Sequence, residues 1–316
     1  MSDIVVYVRS QPQLGDQIVA FATLYQLKAW WPERRLKVVA RDDVGHIYRG
    51  LPWVDEFLRA RSLLDYARSL TGRTQVSVNL HHSSERFGLI NLLRPPAIRM
   101  GFRNARISDL VWTHCHRKDE SEYIGLANLR LLATYRPLDA EHVARRCFAE
   151  LARPHRHNPR GSDVVFLPGG GSGPFKRWSL AHYLRLADSL KTLLGADTRY
   201  TFVLGRQEAR ERAELDALRR GDIDVAYCRP LSELSALMLR ARLVVANDCG
   251  PSHVAQAVGV PYVGVFNQPN PEWFWRRRGA VEVVPREPRA GINAIRPEQV
   301  LHACTRALSR TRPMPA

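Results

Sequence analysis

Residues 244–266 read VVANDCGPSHVAQAVGVPYVGVF, and this stretch decides the fold class. The apolar run Leu243–Ala246 is short and partly β-branched, as expected of a parallel strand covered on both faces, and it stops at a polar turn. A helix is predicted over Ser252–Val258, followed by a second buried strand over Tyr262–Phe266. Ligands of open α/β sheets bind at the carboxyl ends of strands, where helix N-termini also point. The turn therefore predicts a site for an anionic or polyhydroxylated ligand.

The rest of the chain repeats this alternation of strands and helices, which is typical of α/β proteins with parallel sheets. The polar, proline-bearing stretch Arg153–Ser162 interrupts the alternation and predicts a domain boundary. We expect two doubly wound, Rossmann-like domains, 1–155 and 162–295, facing a central cleft, and a C-terminal helix and tail, 296–316, as a candidate to pack back on the first domain. Further strands are predicted at Ile4–Val8, Leu36–Ala40, Gln75–Leu80, Asp163–Leu167, Tyr200–Leu204 and Asp224–Tyr227, with a first helix over Ile18–Trp31.

The charge balance indicates the partners of the chain rather than its fold. Its 316 residues include 47 Lys and Arg against 31 Asp and Glu, a net charge of +16 that would attract nucleic acid, an anionic membrane face or a phosphorylated substrate. Solvated helix faces account for most of the arginine clusters. The five cysteines are scattered and include no C-x-x-C, which favours a reducing cytoplasm over a disulfide framework or a zinc ribbon. The apolar run near the N-terminus is too short for a signal peptide and predicts a first strand.

A glycine-rich loop follows the first strand of the second domain. It reads Pro168-Gly-Gly-Gly-Ser-Gly-Pro-Phe-Lys-Arg-Trp178 and precedes a predicted helix. Glycines allow close backbone approach, Ser172 can donate a hydrogen bond, and Lys176 with Arg177 can neutralise a diphosphate. The loop is not a Walker A motif. A flexible glycine loop with chance basic residues is the alternative.

The turn after Leu243–Ala246 combines a carboxylate and an imidazole at a strand end. Asp248 can accept hydrogen bonds from sugar hydroxyls, and Gly250 with Pro251 allows a turn that aims N–H groups at a ligand. Two alternatives stay open: Asp248 or Ser252 can merely cap the helix, and His253 can be an interior histidine.

Gly15-Asp16 follows the first strand and begins the first helix. Glycine permits the tight turn there, and Asp16 is either a functional carboxylate or a favourable residue at a helix start. No G-x-G-x-x-G follows this strand, so a dinucleotide-binding domain is not indicated.

Two short segments of the sequence contain neighbouring histidines. His81, His82 and Ser83 follow the strand Gln75–Leu80 and are candidates to line the binding site of a second substrate. The segment His114–His116 is polar. Neither group has an H-x-x-x-H partner, so no metal site is expected.

The chain resembles the bacterial heptosyltransferases of glycosyltransferase family 9, which have the GT-B architecture. The resemblance rests on several motifs and on the order in which they follow one another along the chain. The resemblance covers nearly the whole chain. It departs from the family pattern at Phe266–Pro271 and in the aromatic and basic run Trp273–Arg278. The motifs that carry it are Gly15-Asp16, a helix ended by Pro32, Pro168-Gly169 with Lys176-Arg177-Trp178, and Asn247-Asp248-Cys249-Gly250-Pro251-Ser252-His253.

The resemblance implies an inverting transfer of a sugar, by default heptose from ADP-heptose, onto a lipopolysaccharide core or related bacterial glycan. It implies that Asp16 is the general base and that Asp248 binds the donor sugar. Ser172 and Lys176 would hold the diphosphate, helped by N–H groups at the start of the helix near Ser252, and Glu208 would bind the ribose. No metal and no cofactor are expected, since lysine and helix dipoles would take the place of a metal.

The same resemblance implies a cytoplasmic protein in peripheral contact with the inner membrane, acting on an anionic glycolipid or glycan and not on nucleic acid. Two other functions stay open. One is a nucleic-acid-binding protein that uses the basic surface, although no binding motif is recognisable. The other is a nucleotide-sugar epimerase of GT-B-like architecture.

Overall fold

The computed structural model describes residues 2–82, 85–155, 163–171, 173–287 and 289–311. They form two compact units, Met1–Cys147 and Phe148–Ala316. The division falls inside a helix, Ala140–Leu151, earlier than the boundary expected at 153–162. The start of that stretch, Arg153–His155, is a turn of 3₁₀ helix, and residues 156–162 lie outside the described part of the chain.

The first unit contains a six-stranded parallel sheet in the order β3-β2-β1-β4-β5-β6. Its strands are β1 (Asp3–Tyr7), β2 (Arg35–Ala40), β3 (Glu56–Arg59), β4 (Thr74–Asn79), β5 (Ile98–Phe102) and β6 (His114–His116). Its helices are α1 (Leu14–Ile18), α2 (Phe21–Trp30), α3 (Gly45–Tyr48), α4 (Leu63–Ser69), α5 (Glu85–Leu93), α6 (Ile124–Ala133) and α7 (Ala140–Leu151), with a 3₁₀ helix at Ile107–Val111.

The second unit repeats the arrangement, with the strand order β12-β11-β10-β7-β8-β9 and parallel pairing throughout. Its strands are β7 (Val164–Leu167), β8 (Tyr200–Leu204), β9 (Ile223–Tyr227), β10 (Leu243–Asn247), β11 (Tyr262–Val265) and β12 (Ala280–Val283). Its helices are α8 (Leu180–Leu194), α9 (Ala209–Leu218), α10 (Leu231–Arg240), α11 (Ser252–Val258) and α12 (Pro297–Thr311).

The strand order creates one switch point in each sheet. In the first unit, β1 pairs with β2 on one side and with β4 on the other. In the second unit, β7 lies between β10 and β8. The connections diverge at these pairs of strands, which leaves a crevice at their carboxyl ends. The segments that follow β1, β4, β7 and β10 are therefore the places to look for ligand-binding side chains.

The central strands are buried on both faces, as their apolar sequences predict. The burial of β1, β7 and β10 is complete along each strand. Tyr7 and Phe87 pack at the centre of the first unit, and Phe166 stacks on Tyr200 in the second.

The C-terminal helix α12 belongs to the core of the second unit. It packs against α8 and against β10, β11 and β12, and it buries Val300, Cys304 and Ala307. Trp178 belongs to the same core and donates from Nε1 to the carbonyl oxygen of Ile295 at 2.8 Å. Packing of this helix on the first unit stays a prediction.

Four strands, β3, β5, β6 and β12, were not predicted from the sequence. His114–His116, expected as a polar segment, is the edge strand β6, paired with β5. The helix expected over Ile18–Trp31 is observed as α2, and a separate short helix, α1, precedes it and ends at Ile18. Within the described residues, no helix combines the length and the apolar character that crossing a membrane requires.

Candidate active site

Asn247 joins the ends of the two strands at the switch point of the second unit. Its Nδ2 donates to the carbonyl oxygen of Pro168 at 2.7 Å, and its Oδ1 accepts from the Tyr183 hydroxyl at 3.0 Å. The side chain is fully buried, and burial holds the pKa of Tyr183 well above its usual range. Asn247 therefore holds the glycine-rich loop after β7 against the turn after β10. Its role is to position both segments.

Lys176 and Asp248 form an ion pair across these two segments. The Lys176 Nζ lies 2.5 Å from Asp248 Oδ2. Lys176 ends a 3₁₀ turn, Pro174–Lys176, which follows Gly173 at φ 147°, a conformation that favours glycine. The Asp248 side chain is 13% exposed, so the pair is largely shielded from water. The two residues that the sequence assigns to the diphosphate and to the sugar are thus brought together at one sheet edge.

Arg177 and Glu208 form a second ion pair beside this one. Arg177 Nη2 lies 3.1 Å from Glu208 Oε1, and its Nη1 lies 3.5 Å from Glu211 Oε1. The other oxygen of Glu208 accepts from the Gly205 N–H at 2.9 Å. Glu208 is buried and lies against Gly169, where an added Cβ would come within 3.4 Å of the carboxylate. Both Glu208 oxygens are already engaged, so its role toward a ribose stays a prediction.

The turn after β10 is held by its own hydrogen bonds. The first three N–H groups of α11 donate to the carbonyl oxygens of Cys249, Gly250 and Pro251 at 3.1, 3.2 and 3.0 Å. Pro251 is the N-cap residue, and the Ser252 hydroxyl donates to the Cys249 carbonyl at 2.7 Å. Neither Asp248 nor Ser252 is therefore the residue that caps this helix. Because these N–H groups are engaged within the turn, a bound anion would have to share them.

His253 is an interior histidine. It is 2% exposed, its Nδ1 lies 3.4 Å from Gln256 Nε2, and its ring lies 5.4 Å from Trp273. Burial lowers its pKa to about 4, more than the neighbouring Asp248 raises it. The imidazole is neutral at pH 7 and packs behind the turn.

Gln256 is a positioning residue that was not identified from the sequence motifs. Its Nε2 donates to the Trp273 carbonyl at 3.1 Å, and its Oε1 accepts from the Trp275 N–H at 2.6 Å. It fastens the aromatic run Trp273–Arg278 to α11. A glutamine within the apolar run Val254–Val258 was the signal in the sequence.

The first unit places Asp16 beside Arg9 at the carboxyl end of β1. Asp16 lies in the first turn of α1, and Arg9 Nε is 3.0 Å from its Oδ1. Gln17 holds the loop between them, since its Nε2 donates to the carbonyl oxygens of Arg9 and Gln11 at 3.2 and 2.5 Å. Tyr48 donates in turn to Gln17 Oε1 at 2.6 Å. Arg9 and Gln17 were not identified from the sequence, because neither belongs to a motif.

His81 and His82 follow β4, the neighbour of β1. The His81 ring stacks on Phe87 at 4.6 Å, and the His82 ring meets Phe102 edge-on at 4.3 Å. Burial, helped by nearby arginine and lysine side chains, lowers the pKa of His81 to about 4 and that of His82 to about 3. Both imidazoles are neutral at pH 7. They lie at the same sheet edge as Asp16, since β1 and β4 are paired.

Two predicted binding residues, Ser83 and Ser172, lie outside the described residues. Among the side chains that the structure does describe, no three or more His, Cys, Asp and Glu residues are grouped to hold a metal ion. Independence from metals stays a prediction.

The model of "Glycosyltransferase family 9 (heptosyltransferase)" matches residues 94–292. A lipooligosaccharide heptosyltransferase 2 of Haemophilus influenzae is 31% identical over 112 residues, which are 35% of this chain and 32% of that protein. The lipooligosaccharide heptosyltransferase 2 of Haemophilus ducreyi is 22% identical over 295 residues, 82% of each chain.

The first of these relatives is thus matched over about a third of its length, and the second over most of it. Among solved structures, E. coli heptosyltransferase WaaC with ADP superimposes with a TM-score of 0.68 at 15% identity, covering 96% of this chain and 99% of that one. At this identity the likeness shows the fold, which is the GT-B fold with its two parallel sheets. The family model spans well over half of the sequence, and the chain therefore belongs to glycosyltransferase family 9, the heptosyltransferase family.

Proposed function

We propose that this protein is an inverting glycosyltransferase that moves a sugar, by default heptose from ADP-heptose, onto a lipopolysaccharide core or a related bacterial glycan. The Lys176–Asp248 pair at the carboxyl edge of β7 and β10 carries the proposal, because a cation and a carboxylate meet there at one switch point. The names of the curated relatives support the choice of sugar and acceptor.

The second unit binds the donor in this account. An ammonium group has three N–H donors, so Lys176 can keep its bond to Asp248 and still donate to a phosphate oxygen. Asp248 accepts hydrogen bonds from the sugar hydroxyls with its remaining lone pairs. The positive charge of Lys176 stabilises the nucleoside diphosphate as it leaves, which is the task a divalent metal performs in other enzymes.

Asp16 of the first unit takes the proton. The acceptor hydroxyl oxygen forms a bond to the anomeric carbon, and its proton passes to the Asp16 carboxylate. The bond from the anomeric carbon to the diphosphate oxygen breaks, and its electron pair stays on that oxygen. A single displacement of this kind inverts the anomeric configuration. Arg9, held by Gln17, orients the carboxylate.

His81 and His82 contribute to acceptor binding. Since both are neutral at pH 7, each can donate or accept a hydrogen bond with a sugar hydroxyl. The basic surface of the chain attracts an acceptor that carries phosphate groups and an anionic membrane on which such an acceptor would lie.

A screen of donors tests the proposal. A ligand that binds only the folded state raises the melting temperature, so ADP-heptose should stabilise the protein more than UDP-linked sugars do. With a lipopolysaccharide acceptor, NMR of the product should show the anomeric configuration opposite to that of the donor, and chelation of metals should leave the rate unchanged. Conversion of the sugar without acceptor would show an epimerase instead. Salt-sensitive binding of DNA or RNA without any response to nucleotide sugars would show a nucleic-acid-binding protein.

A further inference from the structure

Large apolar side chains are exposed together on one surface of the first unit. Among the described residues, seven of the ten large exposed hydrophobic side chains lie on α4, on α5 and on the 3₁₀ helix Ile107–Val111. The last of these elements is the most exposed, with Ile107 and Leu110 at 87% and 86%. We call this surface the leucine face; it consists of Leu63, Leu64, Leu89, Leu92, Leu93, Ile107 and Leu110.

The three elements form one continuous layer. Helix α5 packs against α4 on one side and against the 3₁₀ helix on the other. The approach to the 3₁₀ helix is close, since a Cβ added to Gly88 would lie 3.1 Å from the Ser108 Cβ. The inner side of the layer covers the sheet with Tyr66, Phe87 and Val111, all buried. The leucine face is the outer side of the same layer.

Helix α5 is apolar on both of its sides. Phe87 and Ile90 are buried, as expected of the inner side of a surface helix. On the outer side, where such a helix normally carries polar residues, Leu89, Leu92 and Leu93 are 58%, 60% and 66% exposed. Clustered exposed apolar side chains of this kind mark a surface that binds a partner.

The surroundings of the leucine face are basic. Between Arg61 and Leu110 the chain has eight arginines and three carboxylates, Asp65, Glu85 and Asp109. Asp65 accepts a hydrogen bond from the backbone of Ser62, the N-cap residue of α4, and Glu85 is paired with Arg106 at 3.2 Å. A second copy of this chain would bring the same positive charge to the contact and be repelled, whereas an anionic surface would be attracted. The exposed arginines on or directly beside these three elements are Arg61, Arg68, Arg86, Arg94 and Arg106.

We propose that the leucine face docks on an anionic lipid bilayer. The leucine and isoleucine side chains enter the boundary between headgroups and acyl chains, and the arginines bind the anionic headgroups. Long basic side chains suit this position, since their stems cover apolar surface while their charged ends reach the headgroups. The inference adds a defined surface to the membrane attraction of the proposed function, and lipid binding can be measured without donor or acceptor. It would give an enzyme that acts on a glycolipid direct access to the surface on which its acceptor lies.

Sedimentation with lipid vesicles tests this proposal. We expect the wild-type chain to bind vesicles of phosphatidylcholine with about 30% phosphatidylglycerol, to bind pure phosphatidylcholine far less, and to dissociate as salt is raised. Leu92→Gln with Leu93→Gln should weaken binding at least about tenfold. Leu193→Gln with Leu218→Gln, which changes two exposed leucines of the second unit, should leave binding unchanged.

A second pair of variants tests the basic residues. Arg61→Gln with Arg68→Gln should lower binding several-fold and flatten its salt dependence, whereas Arg153→Gln with Arg210→Gln, on the second unit, should not. The proposal is overturned if Leu92→Gln with Leu93→Gln binds vesicles as the wild type does, or if the wild type binds neutral and anionic vesicles equally. A third result would also overturn it: light scattering shows that the wild type is a dimer and that Leu92→Gln with Leu93→Gln is a monomer, while neither protein binds lipid.

Turnover of a water-soluble, deacylated acceptor separates this proposal from the proposed function. It should be equal in the wild type and in Leu92→Gln with Leu93→Gln, because the leucine face is outside the residues assigned to chemistry. Absence of turnover in both would contradict the proposed function and leave the vesicle results to decide the docking surface.

Discussion

Lys176 and Asp248 lie 72 positions apart in the chain and meet at one sheet edge. We expect Lys176→Met to raise the KM for the donor at least about tenfold and to lower kcat, because the leaving diphosphate loses its cation. Lys191→Met is the matched control. Lys191 is paired with Asp222 at 2.8 Å, before β9 and thus at the opposite edge of the same sheet. Equal kinetics in the two variants would remove Lys176 from the donor site.

Asn247 should matter for stability as well as for activity. Asn247→Ala leaves the Tyr183 hydroxyl and the Pro168 carbonyl without their buried partner, which we expect to lower the free energy of unfolding of the second unit by about 2–3 kcal/mol. Urea denaturation followed by fluorescence measures the loss. Gln268→Ala, which removes an exposed amide in the segment after β11, should change stability by less than about 0.5 kcal/mol. Similar losses in both variants would contradict this role for Asn247.

The buried histidines predict how stability depends on pH. The pKa of His253 is about 4 in the folded chain, against 6.5 ordinarily, because the charged form is desolvated. Between these pH values the unfolded chain binds a proton that the folded chain does not, so stability is full above about pH 6.5 and is lost as the pH falls toward 4. His81 and His82 act in the same direction.

We therefore expect the free energy of unfolding of the second unit to drop between pH 7 and pH 5, by about 1–2 kcal/mol from His253 alone. His253→Gln, which cannot take up a proton, should reduce this drop in urea denaturation at the two pH values. A wild-type protein that gains stability on acidification, or a variant with an unchanged pH dependence, would show that His253 does not have this role.

At the scale of elements, burial decided what the sequence could predict. Strands covered on both faces, such as β1, β7 and β10, are apolar and partly β-branched, and they were predicted within a residue or two. The edge strands β3 and β6 were missed because a strand with one exposed side tolerates charged and polar residues, as in Glu56–Arg59 and His114–His116.

The C-terminal helix α12 gives a prediction at this scale. Ala307 faces the core of the second unit, so Ala307→Asp should lower its free energy of unfolding by more than about 3 kcal/mol, because an unpaired charge would be buried. Thr305→Asp, on the exposed side of the same helix, should change it by less than about 0.5 kcal/mol. Thermal melts of the two variants that coincide would contradict this orientation of α12.

At the scale of the whole molecule, the predictable part of the site is the part that is local in sequence. Gly15-Asp16 and Asn247–His253 each stand in one short stretch at a strand end, so their location at the sheet edges followed from the strand pattern. The pairs Arg9–Asp16 and Lys176–Asp248 depend on loop conformations that no motif encodes. The leucine face was missed for a related reason: an apolar helix predicts burial, and only the folded chain shows which side is left exposed.

Central to the proposed function is the assignment of Asp16 as the base of the transfer reaction. It is tested most directly by the rate of ADP release from ADP-heptose in the presence of a lipopolysaccharide acceptor, for the wild type, Asp16→Asn and Asp43→Asn. Asp16→Asn removes the base with little change in size, and we expect it to lower kcat by a factor of about 10²–10⁴ while the melting-temperature rise with ADP-heptose stays that of the wild type. Asp43→Asn, an exposed carboxylate of the same unit, should match the wild type. Equal rates in the wild type and in Asp16→Asn would contradict the account.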